Sequence, residues 1–162
     1  MNYTYNGPDD PLEVARFVCQ AVNGWTEDPE RMIPYFTKDG GWEFPFAPTE
    51  FGLFFKEVRG AEAMKRYFTS LMPFMEKLDI GPVENWTIHK MQAPDTYVYE
   101  YTGTATIKGS GKLYRQNYIS IVTLQGGKIK TYREHWDPYV ALLDFGLARP
   151  VDGEGSRQDS SK

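Results

Sequence analysis

The chain is predicted to fold as an α+β domain, and three observations carry that prediction. Its first half holds segments of helical period that open on helix-capping residues. After Asp79 the pattern changes, and apolar and polar residues alternate with period two. The alternating runs are separated by short segments of turn composition. Helices first, then consecutive antiparallel strands, is the α+β order of elements.

Three segments begin Asp-Pro: "DDPLEVARFVCQAVNGW", "EDPERMIPYF" and "WDPYVALLDFG". Asp caps a helix N-terminus and Pro is tolerated at the first helical position, so each is read as a helix start. Asp137 is accordingly a cap. The first helix carries Leu12, Ala15, Phe17, Val18 and Val22 on roughly one face. "GWEFPF" alternates Trp42, Phe44 and Phe46 against Glu43 and Pro45, as a short strand does. A third helix is expected from about Gly60 to Met75, with Pro73 bending or ending it. Four strands follow, "VENWTIHKM", "TYVYEYTGTATI", "KLYRQNYISIVTL" and "KIKTYREHW", joined by "QAPD", "GSG" and "QGGK". Residues 1–148 form one domain. The polar, Gly/Ser-rich stretch 149–162 is expected to be a disordered tail.

Composition excludes several classes of function. With 162 residues the chain suits one domain, and its 41% apolar and 25% charged residues are ordinary for a globular protein. A net charge of −4 argues against a nucleic-acid surface or a polybasic membrane patch. No apolar run reaches membrane-spanning length, and "MNYTYNGPDDPLE" has no basic end or apolar stretch of a leader. One cysteine, Cys19, cannot form an internal disulfide and suits a reducing compartment, so the expected location is cytoplasmic. Two histidines and one cysteine do not make a familiar zinc site, and "IKGSGKLY" lacks P-loop spacing, so no metal and no cofactor is expected.

The last strand raises the functional question. In "KIKTYREHWDP", Glu134 is in phase with Tyr132 and Trp136, while Arg133 and His135 take the opposite phase. A two-residue turn at Gly126-Gly127 pairs Gln125 with Lys128 and, counting outward, sets Glu134 opposite Ile119 and Trp136 opposite Asn117. Residues opposite one another share a face, so Ile119, Ile121 and Asn117 join Glu134. A three-residue turn at "GSG" adds Tyr97, Tyr99 and Tyr101 to that face; a two-residue turn delivers Glu100 and Thr102 instead. An acid among aromatic side chains loses hydration, and its pKa rises toward the range useful for proton transfer. The alternative is a structural acid paired with Arg115, which this register places on the same face.

Two N-terminal helices, a strand, a third helix and a meander ending in Arg–acid–aromatic resemble the nuclear transport factor two-like (SnoaL-like) cone fold. Within it, "NYISIVTLQGGKIKTYREHWDP" is similar to the last hairpin of the phenazine-biosynthesis A/B family. The resemblance covers roughly residues 12 to 147. It implies a cone-shaped α+β barrel, with a curved, mixed, mostly antiparallel sheet packed on three N-terminal helices, and a short C-terminal helix. It also implies an apolar pocket and a homodimer. In the phenazine enzymes the acid matching Glu134 is implicated in acid–base catalysis of a condensation. The pocket histidine of that family has no secure match, since His89 does not align with it and His135 is out of phase with Glu134. The likeness to ketosteroid isomerases fails at the residues that matter: Phe44 stands where their base would be, and Gln20 where their oxyanion tyrosine would be. The acid triad of limonene epoxide hydrolases is likewise broken at Tyr101 and Gly103.

The expected function is therefore a cofactor-independent enzyme of secondary metabolism, of cyclase, isomerase or dehydratase type, on a hydrophobic, polyketide-like or aromatic carbonyl compound. Glu134 would move the proton. Tyr99, Tyr101 and Asn117 would orient or polarise the substrate, Ile119 and Tyr132 would line its site, and Trp42, Phe44 and Trp136 would stack on it. Two readings from other classes stay open: a non-catalytic binding protein for an aromatic metabolite, and a dimeric interaction domain with a filled core and no pocket. Neither nucleic acid nor membrane is an expected partner.

Overall fold

A computed structural model describes residues 3–150, so most of the segment expected to be a tail lies outside the described residues. Helix α1 spans Pro11–Val22, opened by Asp10, whose side chain accepts a hydrogen bond from the Leu12 amide at 2.9 Å. It buries Val14, Ala15, Phe17, Val18, Ala21 and Val22. Asp28 caps the next segment in the same way, but Pro29–Tyr35 forms a 3-10 helix where an ordinary helix was expected. Pro34 is the reason: it has no amide to bond back, and its ring crowds the preceding turn.

Strand β1, Phe36–Glu43, starts earlier than the alternation of Trp42 and Phe44 suggested. Strand β2 is Glu57–Arg59 and helix α2 is Ala61–Leu71. Helix α2 ends before Pro73, and Met75, expected at its end, instead opens strand β3, Met75–Asp79. Strands β4, Thr87–Lys90, β5, Thr96–Ile107, β6, Leu113–Gln125, and β7, Lys128–Trp136, follow. Helix α3, Pro138–Asp144, is capped by Asp137, whose carboxylate accepts from the Tyr139 amide at 2.9 Å.

The seven strands form one sheet in the order β2-β1-β7-β6-β5-β3, with β4 also pairing β5. All pairings are antiparallel except β1 with β7, so the sheet is mixed. Helices α1 and α2 cover its aromatic face. The Tyr99 hydroxyl donates to the Pro11 carbonyl at 2.9 Å, and Phe68 of α2 meets Trp42 of β1 edge-on at 5.2 Å. Trp42 in turn stacks on Tyr132 of β7 at 4.0 Å. Gly103 sits on β5 where the ring of Tyr118 crosses it. A Cβ there would lie 2.8 Å from Tyr118 Cε2, closer than real contacts allow.

Candidate active site

Which side chains of β7 face the helices is decided by one residue. The turn at Gly126-Gly127 has positive φ at both positions and pairs Gln125 with Lys128, as the sequence indicates. Leu124 then faces Ile129, but Thr123 faces Thr131, so Lys130 is an extra residue in β7, a β-bulge. Beyond it every pairing moves by one. Glu134 lies opposite Ser120, where Ile119 was expected, and Trp136 lies opposite Tyr118, where Asn117 was expected. The β5–β6 loop departs too. It spans four residues between Ile107 and Lys112, and pairs Tyr99 with Ser120, Tyr101 with Tyr118 and Glu100 with Ile119. The two shifts cancel. Tyr97, Tyr99 and Tyr101 do share the face of Glu134, while Glu100 and Thr102 point away with Ile119 and Asn117.

Asn117 and Ile119 are therefore corrected: they are exposed on the opposite side of the sheet. There they border an open groove with Glu100, His135 and Phe46. His89 pairs with Glu100 at 2.6 Å on that side, and His135 Nδ1 lies 3.2 Å from the Ile119 carbonyl. Arg115 is exposed on it as well, opposite Thr104, which removes the expected cation from beside Glu134.

On the helix-covered face, Glu134 lines a cavity of about 60 Å³. Trp42, Phe44 and Trp136, expected as stacking residues, are in its wall. Phe54, Tyr67, Phe68, Tyr114, Tyr118 and Phe145 complete much of the rest. Glu134 is half-buried, and the cavity it lines is walled by aromatic and aliphatic side chains. Its Oε1 accepts a hydrogen bond from the Tyr101 hydroxyl at 3.2 Å. Its Oε2 has no partner among the described residues. Loss of water pushes the carboxyl up to about 8, with the Tyr101 hydrogen bond pulling weakly the other way. At neutral pH Glu134 is consequently mostly a neutral acid.

Tyr101 is the centre of a buried polar cluster. Its hydroxyl is 2.7 Å from that of Tyr132 and 2.9 Å from Ser120 Oγ, besides the bond to Glu134. Ser120 and Tyr132 are fully buried, and Trp86 and Tyr118 stack on the Tyr101 ring at 4.4 and 5.2 Å. Burial raises the pKa of Tyr101, Tyr114, Tyr118 and Tyr132, with the nearby Glu134 adding to each, so all four remain neutral hydrogen-bond donors. Tyr99 is not part of this cluster. It and Tyr97 spend their hydroxyls at the start of α1, on the carbonyl of its first residue, Pro11, and on Asp9 Oδ1 just before it, 2.7 Å from the Tyr97 hydroxyl.

Tyr67, Tyr114, Tyr118 and Ser120 are the site residues that sequence reasoning missed. The last three would have followed from the correct parity of β6. Gln116 was missed too, and it is structural: its amide bonds the Asp137 carbonyl at 2.9 Å and the Asp137 amide at 3.1 Å, fixing the start of α3 against β6. Cys19 is half-buried, as a core residue would be, and burial beside Asp79 and Glu84 pushes its thiol up to about 11. No group of three or more metal-ligating side chains occurs among the described residues. Nor is any helix among them long and apolar enough to cross a membrane.

Comparison with known proteins agrees with this architecture. A model of the SnoaL-like domain matches residues 14–132. A PhzA/B-like protein of Pseudomonas aeruginosa, PA3332, is 27% identical over 111 residues, covering 68% of this chain and 74% of that protein. A Bacillus subtilis structure carrying an isomerase designation superposes with a TM-score of 0.71 at 22% identity, over 86% of this chain and 97% of that one. The BvnE pinacolase of Penicillium brevicompactum superposes with a TM-score of 0.65 at 18% identity, over 82% and 90%. At these identities the two structures speak for the shared fold.

Proposed function

The chain belongs to the SnoaL-like domain family, and on that premise we propose that it is a cofactor-independent acid–base enzyme acting on a small hydrophobic carbonyl compound. One observation carries the reading: a carboxyl group lines an apolar cavity, anchored through one oxygen and, among the described residues, unpartnered at the other and without a cation beside it. A structural acid would be expected to have a counterion. A carboxyl titrating near neutrality can both give and take a proton.

The reaction runs from the neutral acid. Glu134 Oε2 gives its proton to the carbonyl oxygen of the substrate, and the Tyr101 hydrogen bond on Oε1 supports the carboxylate that forms. A proton on the carbon next to the carbonyl then passes to the carboxylate; its C–H electron pair becomes the C=C bond of an enol, and the acid is restored. In a substrate whose enol is conjugated with a C=C bond, the acid then adds its proton at the far carbon of the dienol and the enol O–H proton returns to the carboxylate, which restores the carbonyl with the double bond moved. Tyr114, kept neutral by burial, accepts from Tyr118 and Gln116 and so has its own hydroxyl hydrogen to offer the same oxygen. The isomerase designation of one structural neighbour and the pinacolase activity named for another are in keeping with this class of chemistry.

Cavity size narrows the substrate. At roughly 10–15 Å³ per water, 60 Å³ holds about four to six waters, enough for a compact ring but not for a fused polyketide. Cyclopentanone in heavy water is a direct probe. The protein should speed exchange of its α-hydrogens, read by proton NMR, and Glu134→Gln should abolish the acceleration. An unchanged rate in Glu134→Gln would reject the assignment.

A further inference from the structure

Gln116 does more than fix α3 against β6. It is buried, and every hydrogen-bonding position of its amide is taken. Its Oε1 accepts from the amides of Asn117 and Asp137, both at 3.1 Å. Its Nε2 donates to the Asp137 carbonyl at 2.9 Å and to the Tyr114 hydroxyl at 3.1 Å. A backbone amide can only donate and a backbone carbonyl can only accept, so Asp137 leaves this side chain one orientation. The end that faces Tyr114 is the NH2 group.

That orientation decides where the Tyr114 hydrogen goes. A hydroxyl oxygen has two accepting positions and one hydrogen to give. Gln116 fills one accepting position of Tyr114. Tyr118, whose buried hydroxyl holds its proton the more firmly of the two, donates into the other. The hydrogen of Tyr114 has no acceptor among the described residues. Tyr114 is itself in the wall of the cavity, close enough to Glu134 to feel its charge. A buried donor left unpaired costs about 1–3 kcal/mol, so a wall that holds one is shaped for an oxygen brought in from outside the chain.

We propose that Gln116 is a positioning residue of the site, turning the Tyr114 hydroxyl hydrogen toward the carbonyl oxygen of the substrate. The inference rests on the carbonyl substrate proposed above, but not on proton transfer by Glu134. A carbonyl oxygen has two lone pairs, and the cavity offers it two donors, the Glu134 acid and the Tyr114 hydroxyl. Once the acid has given its proton, Tyr114 goes on supporting the enol oxygen. Because Gln116 is tied to both backbone groups of Asp137, the aim of that donor depends on α3 being docked.

The test reads the carbonyl carbon of carbon-13-labelled cyclopentanone bound to the protein, a resonance that moves downfield with each hydrogen bond its oxygen receives. Tyr114→Phe should move the bound resonance upfield. Gln116→Glu keeps the shape of the side chain and the two contacts on Oε1, but turns an oxygen toward Tyr114. That oxygen takes the Tyr114 hydrogen in either charge state, since a single acid proton is drawn to the Asp137 carbonyl. Gln116→Glu should therefore move the resonance as far upfield as Tyr114→Phe does. Gln116→Met leaves Tyr114 free to turn and should fall between.

The rate of α-hydrogen exchange should drop about a hundredfold in Tyr114→Phe, with KM little changed. Gln116→Glu should cost nothing further in the Tyr114→Phe background, where there is no hydrogen to aim. A residue that served only to hold α3 would lose rate equally in both backgrounds. The same resonance shifts should appear in Glu134→Gln, in which no exchange is expected, so the aim of the donor and the acid role of Glu134 fail separately. A resonance that ignores Gln116→Glu in the folded variant, an equal further loss of rate on top of Tyr114→Phe, or no bound ketone would overturn the proposal. Where Gln116→Glu does not fold, a resonance unmoved by Gln116→Met or by Tyr114→Phe decides against it in the same way.

Discussion

Tyr101 donates its hydroxyl hydrogen to Oε1 of Glu134 over 3.2 Å, and this is the one side-chain hydrogen bond the carboxyl makes among the described residues. It opposes the effect of burial, because a hydrogen bond to the charged form favours that form. The two residues are thus set against each other: the cavity holds the proton on, and Tyr101 eases it off.

Replacing Tyr101 with Phe removes the opposing effect. The carboxyl of Glu134 should titrate above its present value of about 8, observable as a displaced carboxyl carbon titration in NMR. Ser120 and Tyr132 lose a buried partner, so stability should fall by about 1–3 kcal/mol. A titration that moved downward would show that Tyr101 does not support the carboxylate.

Glu134 should make stability fall as pH rises. Its pKa is raised from 4.5 to about 8 on folding, so within that window the folded state holds a proton that the unfolded chain has released. Below the window both states are protonated and nothing is lost; above it both are ionised and the loss is complete. Glu134→Gln removes the titration. Urea unfolding at several pH values should show the variant gaining on the wild type by up to about 1.4 kcal/mol per pH unit across the window, and by nothing further beyond it.

Gly103→Ala should damage the site from behind. The added methyl would meet the Tyr118 ring, which stacks on Tyr101 and lines the cavity. A loss of about 1–3 kcal/mol is expected for such overpacking, together with a changed near-ultraviolet circular dichroism signal from the displaced ring. Wild-type stability in this variant would mean the ring moves without penalty.

Much of the architecture was legible because local signals agreed. Asp10, Asp28 and Asp137 each cap the turn that follows, and the long alternations of β5, β6 and β7 are strands. Strands β2 and β3 were missed because they are three and five residues long and owe their pairing to neighbours distant in sequence. The inward aim of Glu134 and the tyrosines was reached through two register errors that cancelled, and the same errors misplaced Asn117 and Ile119. A clue was present in "KIKTYREHW". Ile129 and Tyr132 are both fully buried yet three positions apart, a spacing that strict alternation forbids. Bulky apolar residues at odd separation in one strand point to a bulge. Tyr67 of α2 could not be found this way, because a helix face alone does not say what lies across from it.

Lys130 gives the strand its handedness of use. It stands outside the ladder, between the pairs Leu124–Ile129 and Thr123–Thr131; taken into the ladder opposite Thr123, it would shift every later pair by one, presenting Arg133 and His135 to the interior and sending the acid outside. This scaffold therefore needs no new architecture to exchange a proton-bearing carboxyl for a guanidinium and an imidazole. A single pairing step, made or skipped, equips the chamber.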